Sequence, residues 1–302
     1  GIQVEITGQG SSGGLFSETT RSLKTGNPPD LVAAPLDMML AWQKQNGSMV
    51  NLNNYVNDLQ WGLNQAELQD FQPLFWNEDE VYGYRFGIPA LRNMQVLFYN
   101  RTWASELGYG VAPLSPELFY EQACGAHALN LKANTWVVKG TGGWIVDNSP
   151  QTLLSWLLVF EPNLLHKGST GAYQFNTPGA AEGLNYLRNM YEDGCSWVSR
   201  DNSPYEYFAN RQALIYAGSL EDLNPQSRTM VRLEKTDSWT VLPFPSIHGP
   251  VVISSGPSYG IFTSSNEKQL AAWLFMRWLV LPRHQARLVL SSGLLPAGKE
   301  AL

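Results

Sequence analysis

The chain contains 302 residues, of which 44% are hydrophobic and only 15% carry a charge. This length favours two domains, because a single hydrophobic core rarely serves so long a chain. A net charge of −6 without a cluster of Lys and Arg argues against nucleic-acid or anionic-membrane ligands. The apolar stretch of residues 153–160 is far shorter than a membrane span. Much of the surface must be polar and uncharged, which suits an exported protein.

The first part of the chain alternates between predicted strands and helices. Residues 2–7 alternate in hydrophobicity as a strand does, and residues 30–34 form a short apolar run of strand character. Helices are predicted over residues 15–25, 36–45 and 64–75. This order of strands and helices is typical of a parallel sheet covered by helices.

A polar pair separates two strand-like runs near residue 90. Residues 84–88 and 94–99 have the composition and length of strands, and Arg92 and Asn93 stand between them. If the two strands belong to different sheets, this pair lies where the chain passes from one domain to the other. Ligand clefts often form at such positions.

The same alternation continues beyond this pair. The predicted elements are a segment over residues 205–211, strands over residues 135–138, 213–217 and 239–242, and helices over residues 115–129, 149–160 and 178–193. The last of these helices has the clearest ends, since Thr177 is a suitable N-cap and Gly194 a suitable stop. Leu184 and Tyr191 are predicted to lie on its apolar face.

A second interruption predicts the return passage between domains. The strand-like residues 251–255 run into Gly256 and Pro257, and residues 259–263 resume the strand pattern. Two further helices are predicted over residues 266–280 and 282–292. The chain is therefore expected to cross between its domains twice.

Motifs for catalysis, metals and phosphates are weak. Two matches to G-x-S-x-G centre on Ser12 and Ser258, but neither has the tight turn and the following acid and histidine that a serine hydrolase needs. Cys124 and His127 have a helical spacing that permits a metal contact, yet no further ligand stands nearby. The two cysteines make no disulfide framework, and no nucleotide-binding motif is found. We expect neither a metal nor a cofactor.

Aromatic residues make up 12% of the chain, and several tryptophans stand in loops. An indole ring can stack on the apolar face of a sugar, while Asp, Asn and Arg supply hydrogen bonds to its hydroxyls. Trp144, in a glycine-rich loop after a predicted strand, is the best candidate for such stacking. Trp273 and Trp278 are predicted to be core residues of a helix, which is the commoner role for a tryptophan.

Five sequence blocks carry a resemblance to a known family. They are GNPPDLV at residues 26–32, GIP…YNR at residues 87–101, FNTP…EDG at residues 175–194, FANRQALI at residues 208–215, and GIF…GLLP at residues 260–296. Their order and spacing cover nearly the whole chain. The chain resembles the family 1 extracellular solute-binding proteins, the receptors of carbohydrate ABC importers, which include the maltodextrin-binding proteins.

The resemblance implies an α/β protein with the type II periplasmic-binding-protein fold. In that fold two α/β lobes are joined by hinge strands and close on a ligand. The first lobe is expected to comprise residues 1–92 and 257–302, and the second residues 93–256. The family pattern also has a strand and a helix before residue 1 and further helices after residue 302, so family segments are expected to be missing at both ends.

The resemblance also implies positions for ligand contacts. Asp37 follows its strand as a hydroxyl-binding carboxylate would, and Arg92 and Asn93 hold the hinge position. The expected ligand-binding residues are Asp37, Arg92, Asn93, Trp144, Asp147, Asn148, Glu221, Ser255 and Gly256. The loop residues among them could equally serve as local caps. Arg211, where relatives often have glycine, is either a surface change or projects toward the cleft.

The function implied by the resemblance is capture of a carbohydrate, an oligosaccharide or a glycoside, in the cleft between the lobes for delivery to ABC permease subunits. The protein is expected to be an extracytoplasmic monomer, periplasmic or lipid-anchored at the cell surface, that catalyses no reaction. A ligand-sensing receptor for a chemosensor or kinase is the main alternative. A peptide ligand stays open, and a serine hydrolase is a minor alternative of another class.

Overall fold

The computed structural model describes residues 1–133, 142–165, 173–199 and 203–302. The chain forms two compact units: unit 1, Gly1–Asn93 with Ser255–Leu302, and unit 2, Met94–Ser254. It therefore passes from one unit to the other at residues 93/94 and 254/255, each within two residues of a lobe boundary expected from the sequence. The strand predicted over residues 135–138 lies outside the described residues.

Helices and strands are numbered along the whole chain. The helices are α1 (Ser12–Lys24), α2 (Leu36–Asn46), α3 (Asn53–Val56), α4 (Gln65–Asp70), α5 (Pro73–Glu78), α6 (Arg101–Glu106), α7 (Pro116–Ala133), α8 (Pro150–Phe160), α9 (Pro178–Glu192), α10 (Tyr205–Ala209), α11 (Leu223–Arg232), α12 (Asn266–Leu279) and α13 (Pro282–Ser292). The strands are β1 (Leu31–Ala34), β2 (Glu80–Val81), β3 (Tyr84–Arg85), β4 (Ile88–Pro89), β5 (Leu91–Asn100), β6 (Trp144–Ile145), β7 (Ser196–Trp197), β8 (Ile215–Ser219), β9 (Trp239–Leu242), β10 (Ser254–Ser255), β11 (Ser258–Ile261) and β12 (Leu295–Pro296). Among the described residues, no helix has the length and apolar character that spanning a bilayer requires.

Unit 1 is built on a three-stranded sheet in the order β1-β11-β4. β11 runs antiparallel to both neighbours, and Ser258 pairs with Ala34 of β1 on one side and Pro89 of β4 on the other. β1 and β4 therefore point the same way and end at the same edge of the sheet. Trp273 and Met276 of α12 share one buried hydrophobic cluster with residues of β4 and β11.

Helix boundaries in unit 1 follow local sequence signals. Gly47 ends α2 with a φ of 60°, a left-handed conformation that glycine adopts without steric cost. The single helix predicted over residues 64–75 is wrong, because α4 ends at Asp70 and α5 begins at Pro73. Proline lacks an N–H and holds the preceding Gln72 in an extended conformation, with ψ of 124°, so the helix cannot continue through it.

The strand predicted over residues 2–7 is also wrong. The segment has no regular structure, and Ile2 and Ile6 are 51% and 85% exposed. An alternating pattern forms a strand only where a neighbour can satisfy its backbone groups. None of the strands that the structure describes pairs with this segment.

The two tryptophans of α12 differ in burial. Trp273 is fully buried, as predicted, and donates its indole N–H to the carbonyl oxygen of Trp61 at 2.8 Å. Trp278 is 46% exposed, and the centroids of its ring and the His284 ring are 3.9 Å apart. The prediction that Trp278 is a core residue is therefore wrong, because the apolar stripe of α12 is wider than the face that the helix buries.

Unit 2 contains a sheet in the order β10-β5-β8-β6-β7, and β9 pairs with β5 as well. β5 is antiparallel to β8, with Gln95 opposite Ser219, whereas β6 is parallel to both β8 and β7. Leu97 of β5, Phe119 of α7 and Trp156 of α8 are fully buried in its core. The mixed α/β architecture predicted from the sequence is confirmed.

Helix α9 begins and ends as its sequence predicts. The Thr177 hydroxyl caps the first turn, and Gly194 follows the helix with a φ of 72°. The buried face differs from the prediction, since Leu184 and Tyr191 are 51% and 68% exposed while Met190 is fully buried. Tyr186 of α9 packs on Trp156 and Phe160 of α8, with ring centroids 5.1 and 5.2 Å apart. The face that contacts α8 is therefore centred on Tyr186 and not on Leu184 or Tyr191.

A disulfide bond joins Cys124 of α7 to Cys195, 71 positions later. The sequence does not predict this bond, because two isolated cysteines carry no pairing signal. The bond makes Cys124 unavailable to a metal beside His127, and no group of three or more His, Cys, Asp or Glu in the described ranges could hold a metal ion. Disulfides persist in oxidising compartments, so the bond agrees with a location outside the cytoplasm.

Arg211 lies in an ion-pair network inside unit 2. Its guanidinium donates to Glu106 at 2.5 and 3.0 Å and to Asp237 at 2.7 and 2.8 Å. Asn100 also donates to Asp237, at 2.8 Å. The backbone of Arg211 has a φ of 58°, which glycine adopts more readily than arginine. The two ion pairs therefore offset the strain of a side chain at this position.

Arg211→Ala should destabilise unit 2 more than Arg211→Gly, by about 1 kcal/mol, because both variants lose the ion pairs but only alanine keeps the strain. Hydrogen bonding from Arg211 holds the pKa of Asp237 below its ordinary value. This contribution to stability is present above the unfolded pKa of Asp237 and is lost as pH falls through the folded pKa. Both variants should therefore lose less stability than the wild type between pH 7 and pH 3.

Urea unfolding at these two pH values measures both effects. The prediction would be contradicted if the alanine and glycine variants had equal free energies of unfolding and if their stability changed with pH as that of the wild type does. The ion-pair network would then contribute nothing to the stability of unit 2.

Candidate functional site

The carboxyl ends of β6 and β8 lie at one edge of the unit 2 sheet, because these strands are parallel neighbours. β5 is antiparallel to β8, so its first residues reach the same edge, where Gln95 is opposite Ser219. Asp147 and Asn148 follow β6, and Glu221 follows β8. We call these five residues the unit 2 edge. Loops at the carboxyl ends of strands are the usual ligand-binding positions of open α/β sheets.

The carboxylate of Asp147 accepts hydrogen bonds from three neighbouring residues. Its Oδ1 accepts a hydrogen bond from the backbone N–H of Ser149 at 3.0 Å. Its Oδ2 accepts from Thr152 Oγ1 at 3.2 Å and from Gln95 Nε2 at 3.4 Å. Gln95 also donates to Thr152 Oγ1 at 2.8 Å. The orientation of the carboxylate is therefore set by the protein itself.

Gln95 is a member of this site that sequence reasoning missed. Its side chain is buried, at 8% exposure for the residue, and its amide is satisfied by Thr152 and Asp147. Burying an amide is costly unless it is hydrogen-bonded, so a buried glutamine in a strand usually has a structural or functional role. A single polar residue in the apolar run of residues 94–99 was the available signal.

A second fixed carboxylate stands beside Glu221. Asp222 Oδ2 accepts from the backbone N–H of Ser219 at 2.7 Å, and its Oδ1 accepts from the hydroxyl of Tyr205 at 2.5 Å. Burial, together with this hydrogen bond, raises the pKa of Tyr205, which remains a protonated donor at neutral pH. Glu221 and Asn148 are exposed, so their side chains can reach a ligand.

Trp144 does not have the position expected of a sugar-stacking residue. It is 1% exposed and lies in β6. Its ring centroid is 5.4 Å from that of Phe119 and 5.3 Å from that of Trp156, both in the core. The glycine-rich sequence around Trp144 suggested an exposed loop, but α7 and α8 cover this strand. We correct Trp144 to a core residue of unit 2.

In unit 1, the predicted ligand residues lie after β1 and at the positions where the chain leaves and re-enters the unit. Asp37 is exposed in the first turn of α2, which follows β1. Ser255, also exposed, and Gly256 lead into β11, and Asn93 ends the outgoing segment of unit 1. We call these four residues the unit 1 edge. Each of these residues is a candidate for contact with a ligand, through either its backbone or its side chain.

Arg92 has no solvent-facing guanidinium to offer a ligand. The residue is 1% exposed and donates to Glu78 Oε2 at 3.1 Å and to the carbonyl oxygen of Pro257 at 3.0 Å. It also donates to Ser258 Oγ at 3.2 Å. The expectation that Arg92 contacts the ligand directly is corrected, because its donors are already used inside unit 1.

The two serines of the G-x-S-x-G matches do not form a hydrolase site in the structure. Ser258 is 1% exposed, and its hydroxyl donates to Asp79 Oδ2 at 2.7 Å, so substrate cannot reach it. Ser12 is exposed at the start of α1, which is not the tight strand-to-helix turn of a nucleophile elbow. Neither serine therefore supports the hydrolase interpretation.

A cavity of about 490 Å³ lies elsewhere in unit 2. It is lined by residues of α7, the end of α8 and α9, namely Pro116, Glu117, Tyr120, Glu121, Phe160, Glu182, Asn185, Tyr186 and Asn189. None of the predicted ligand residues lines it. The candidate site consequently rests on the strand edges and not on this cavity.

A comparison with protein-family models matches residues 1–302 to the bacterial extracellular solute-binding proteins. The chain belongs to this family. A search among curated proteins found no match to this solute-binding protein. Membership in the family assigns it to the extracellular substrate-binding proteins.

Solved structures share the fold of this solute-binding protein. UgpB from Mycobacterium tuberculosis, in complex with glycerophosphocholine, has a TM-score of 0.78 and 18% identity over 99% of this chain and 75% of its own. MalE from Xanthomonas citri, described as a sugar-binding protein, has a TM-score of 0.75 and 21% identity over 94% and 70%. Maltose-bound MalE3 from T. maritima has a TM-score of 0.73 and 16% identity over 96% and 72%. At these identities the likeness shows the fold, which agrees with the type II class predicted from the sequence.

Proposed function

We propose that this protein is the substrate-binding component of an ABC importer and that it captures a carbohydrate, an oligosaccharide or a glycoside. Membership in the extracellular solute-binding family supports the binding role. Several proteins of the same fold are described as binding maltose, maltotriose or acarbose. The unit 2 edge is the observation that carries the choice of ligand class.

The chemistry of the unit 2 edge suits hydroxyl groups. A sugar hydroxyl is both a donor and an acceptor, so it binds best to a carboxylate paired with an amide. Asp147 supplies a carboxylate oriented by Gln95 and Thr152. The exposed Asn148 and Glu221 supply an amide and a second carboxylate from the adjoining loops.

The unit 1 edge has, by itself, a carboxylate and backbone groups that suit hydroxyls. Asp37 is exposed in the first turn of α2, and Asn93, Ser255 and Gly256 lie where the chain leaves and re-enters unit 1. A few hydrogen bonds of about 0.5 to 1.5 kcal/mol each support affinity in the micromolar range, near −8 kcal/mol, once apolar contacts are added.

We further propose that the protein acts as a monomer outside the cytoplasm, in the periplasm or tethered to the cell surface by a lipid. Its partners would be the permease subunits of the importer. The protein would make and break no covalent bond, since its role ends with delivery of the ligand. The disulfide between Cys124 and Cys195 supports an oxidising location.

Titration with maltose, maltotriose and acarbose, followed by tryptophan fluorescence, tests this function. We expect saturable binding of at least one sugar, weakened about 10-fold by Glu221→Gln and by Asn148→Ala because each loses about one hydrogen bond. Glu182→Gln is a matched control, since Glu182 is an exposed acid of the same unit on α9.

Unchanged affinity in both edge variants would remove the unit 2 edge as the binding site. A complete lack of response to sugars, combined with binding of a peptide, would contradict the carbohydrate assignment.

A further inference from the structure

Three polar side chains meet inside unit 1 at the point where the chain leaves and re-enters it. We define the outgoing segment as residues 90–93 and the returning segment as residues 253–257, and call both the crossing segments. Arg92 belongs to the outgoing segment, Ser258 follows the returning segment, and Asp79 lies between α5 and β2. Each of the three residues is 1% exposed. We call them the crossing cluster. Buried charges are costly unless they are paired, so their presence here needs an explanation.

The members of the crossing cluster satisfy one another. Ser258 Oγ donates to Asp79 Oδ2 at 2.7 Å and accepts from Arg92 Nη2 at 3.2 Å. Arg92 Nη2 also lies 3.6 Å from Asp79 Oδ2, and Arg92 Nε lies 3.1 Å from Glu78 Oε2. Removal of any one member therefore leaves a buried polar atom of the others without its partner.

Arg92 also binds the backbone of both crossing segments. Its Nη1 donates to the carbonyl of Leu91 at 3.1 Å in the outgoing segment and to that of Pro257 at 3.0 Å in the returning one. The N–H of Ala90 donates to the same Pro257 carbonyl at 3.2 Å. A Cβ on Gly256 would lie only 2.3 Å from the Leu91 carbonyl oxygen, so the two backbones are in close contact.

We propose that the crossing cluster positions the unit 1 edge by holding the backbone at Asn93 and at residues 255–256 in one arrangement. Arg92 is then a positioning residue that acts through the carbonyls of Leu91 and Pro257 and does not touch the ligand. This inference rests on the proposed function in one respect, namely that the unit 1 edge contacts the ligand. The cluster fixes the backbone whichever ligand binds there.

Ser258→Ala tests the proposal by amide hydrogen exchange of the protein without any ligand. We expect the amides of Ala90 and Gln95, each bonded to a carbonyl of the returning segment, to exchange about 10-fold faster. The amide of Phe262, which is bonded elsewhere in unit 1, should keep its rate. Such a local response differs from a general loss of stability, which would accelerate all three amides.

Two further variants complete the test. Ser246→Ala is the matched control, because Ser246 has a buried hydroxyl that donates to the Val159 carbonyl at 3.2 Å in unit 2, and it should leave these rates unchanged. Asp79→Asn keeps an acceptor for Ser258 and should accelerate the amides of both crossing segments. Unchanged rates in both cluster variants, or equal acceleration throughout unit 1, would overturn the proposal. Because no ligand is present, this outcome is independent of whether sugars bind.

Discussion

Loss of the Cys124–Cys195 bond is expected to lower the free energy of unfolding by about 4 kcal/mol, the value for closing a loop of roughly 70 residues. The cysteines are 71 positions apart, so the bond removes much freedom from the unfolded chain. Urea unfolding of the double variant Cys124→Ala, Cys195→Ala measures the effect. Wild-type protein with reductant should approach the stability of this variant.

The disulfide also supports the strands that carry the unit 2 edge. Cys195 is buried, and its carbonyl accepts from the N–H of Trp144 at 2.8 Å. Trp144 begins β6, and Asp147 follows that strand. We therefore expect the loss to appear in unit 2. Reductant should not change the free energy of unfolding of the double variant. A free energy of unfolding within about 1 kcal/mol of the wild-type value would contradict the prediction.

Arg92→Met is expected to cost about 3 to 5 kcal/mol at neutral pH, the usual penalty for removing one partner of a buried ion pair. The variant leaves the Asp79 carboxylate buried with Ser258 as its remaining cluster partner. Urea unfolding at pH 7.5 measures this cost. The double variant Asp79→Asn, Arg92→Met should recover part of it, because no unpaired charge is then left inside.

The pH dependence of the Arg92→Met variant follows from Asp79. Burial already raises the pKa of Asp79 in the folded protein, while Ser258 and Arg92 oppose that rise. Without Arg92 the folded pKa rises further above the unfolded value. Stability is then lost as pH increases between these two values. The variant should lie closer to wild type at pH 4.5 than at pH 7.5, and a pH-independent difference would show that the Asp79 charge is not its cause.

Local sequence rules predicted elements whose signals lie within a few residues. Thr177 and Gly194 define the ends of α9 in the sequence and in the structure. The passages between domains were expected near Asn93 and Gly256 because a polar pair and a Gly-Pro break interrupt strand-like runs there. The strand expected over residues 2–7 failed because a strand also needs a neighbour, which no local pattern can supply.

Contacts between distant residues could not be predicted in this way. The disulfide joins residues 71 positions apart, and Arg92 binds Ser258 across 166 positions. Arg92 was expected at the ligand because the resemblance places it, together with Asn93, at the hinge position. Only the folded structure shows that Arg92 donates to Ser258 and pairs with Asp79 inside unit 1.

The resemblance to the solute-binding family placed Asp147 and Glu221 among the ligand-binding residues, and their contact with a ligand stays a prediction. Asp147 and Glu221 follow β6 and β8, and parallel pairing brings those two loops to one edge. Gln95 was missed because its partnership with Asp147 depends on the register of β5. Trp144 was misplaced because glycines beside it suggested exposure.

A melting-temperature screen against glycans tests the carbohydrate assignment most directly. A ligand at 100 times its Kd adds about 2.7 kcal/mol to the stability of the folded protein. For domains of this size that corresponds to a rise in Tm of roughly 5 to 10 °C. We predict such a rise with at least one oligosaccharide or glycoside among maltose, maltotriose and acarbose, and none with triglycine or glycerophosphocholine. A shift with triglycine or glycerophosphocholine and none with any glycan would contradict the account.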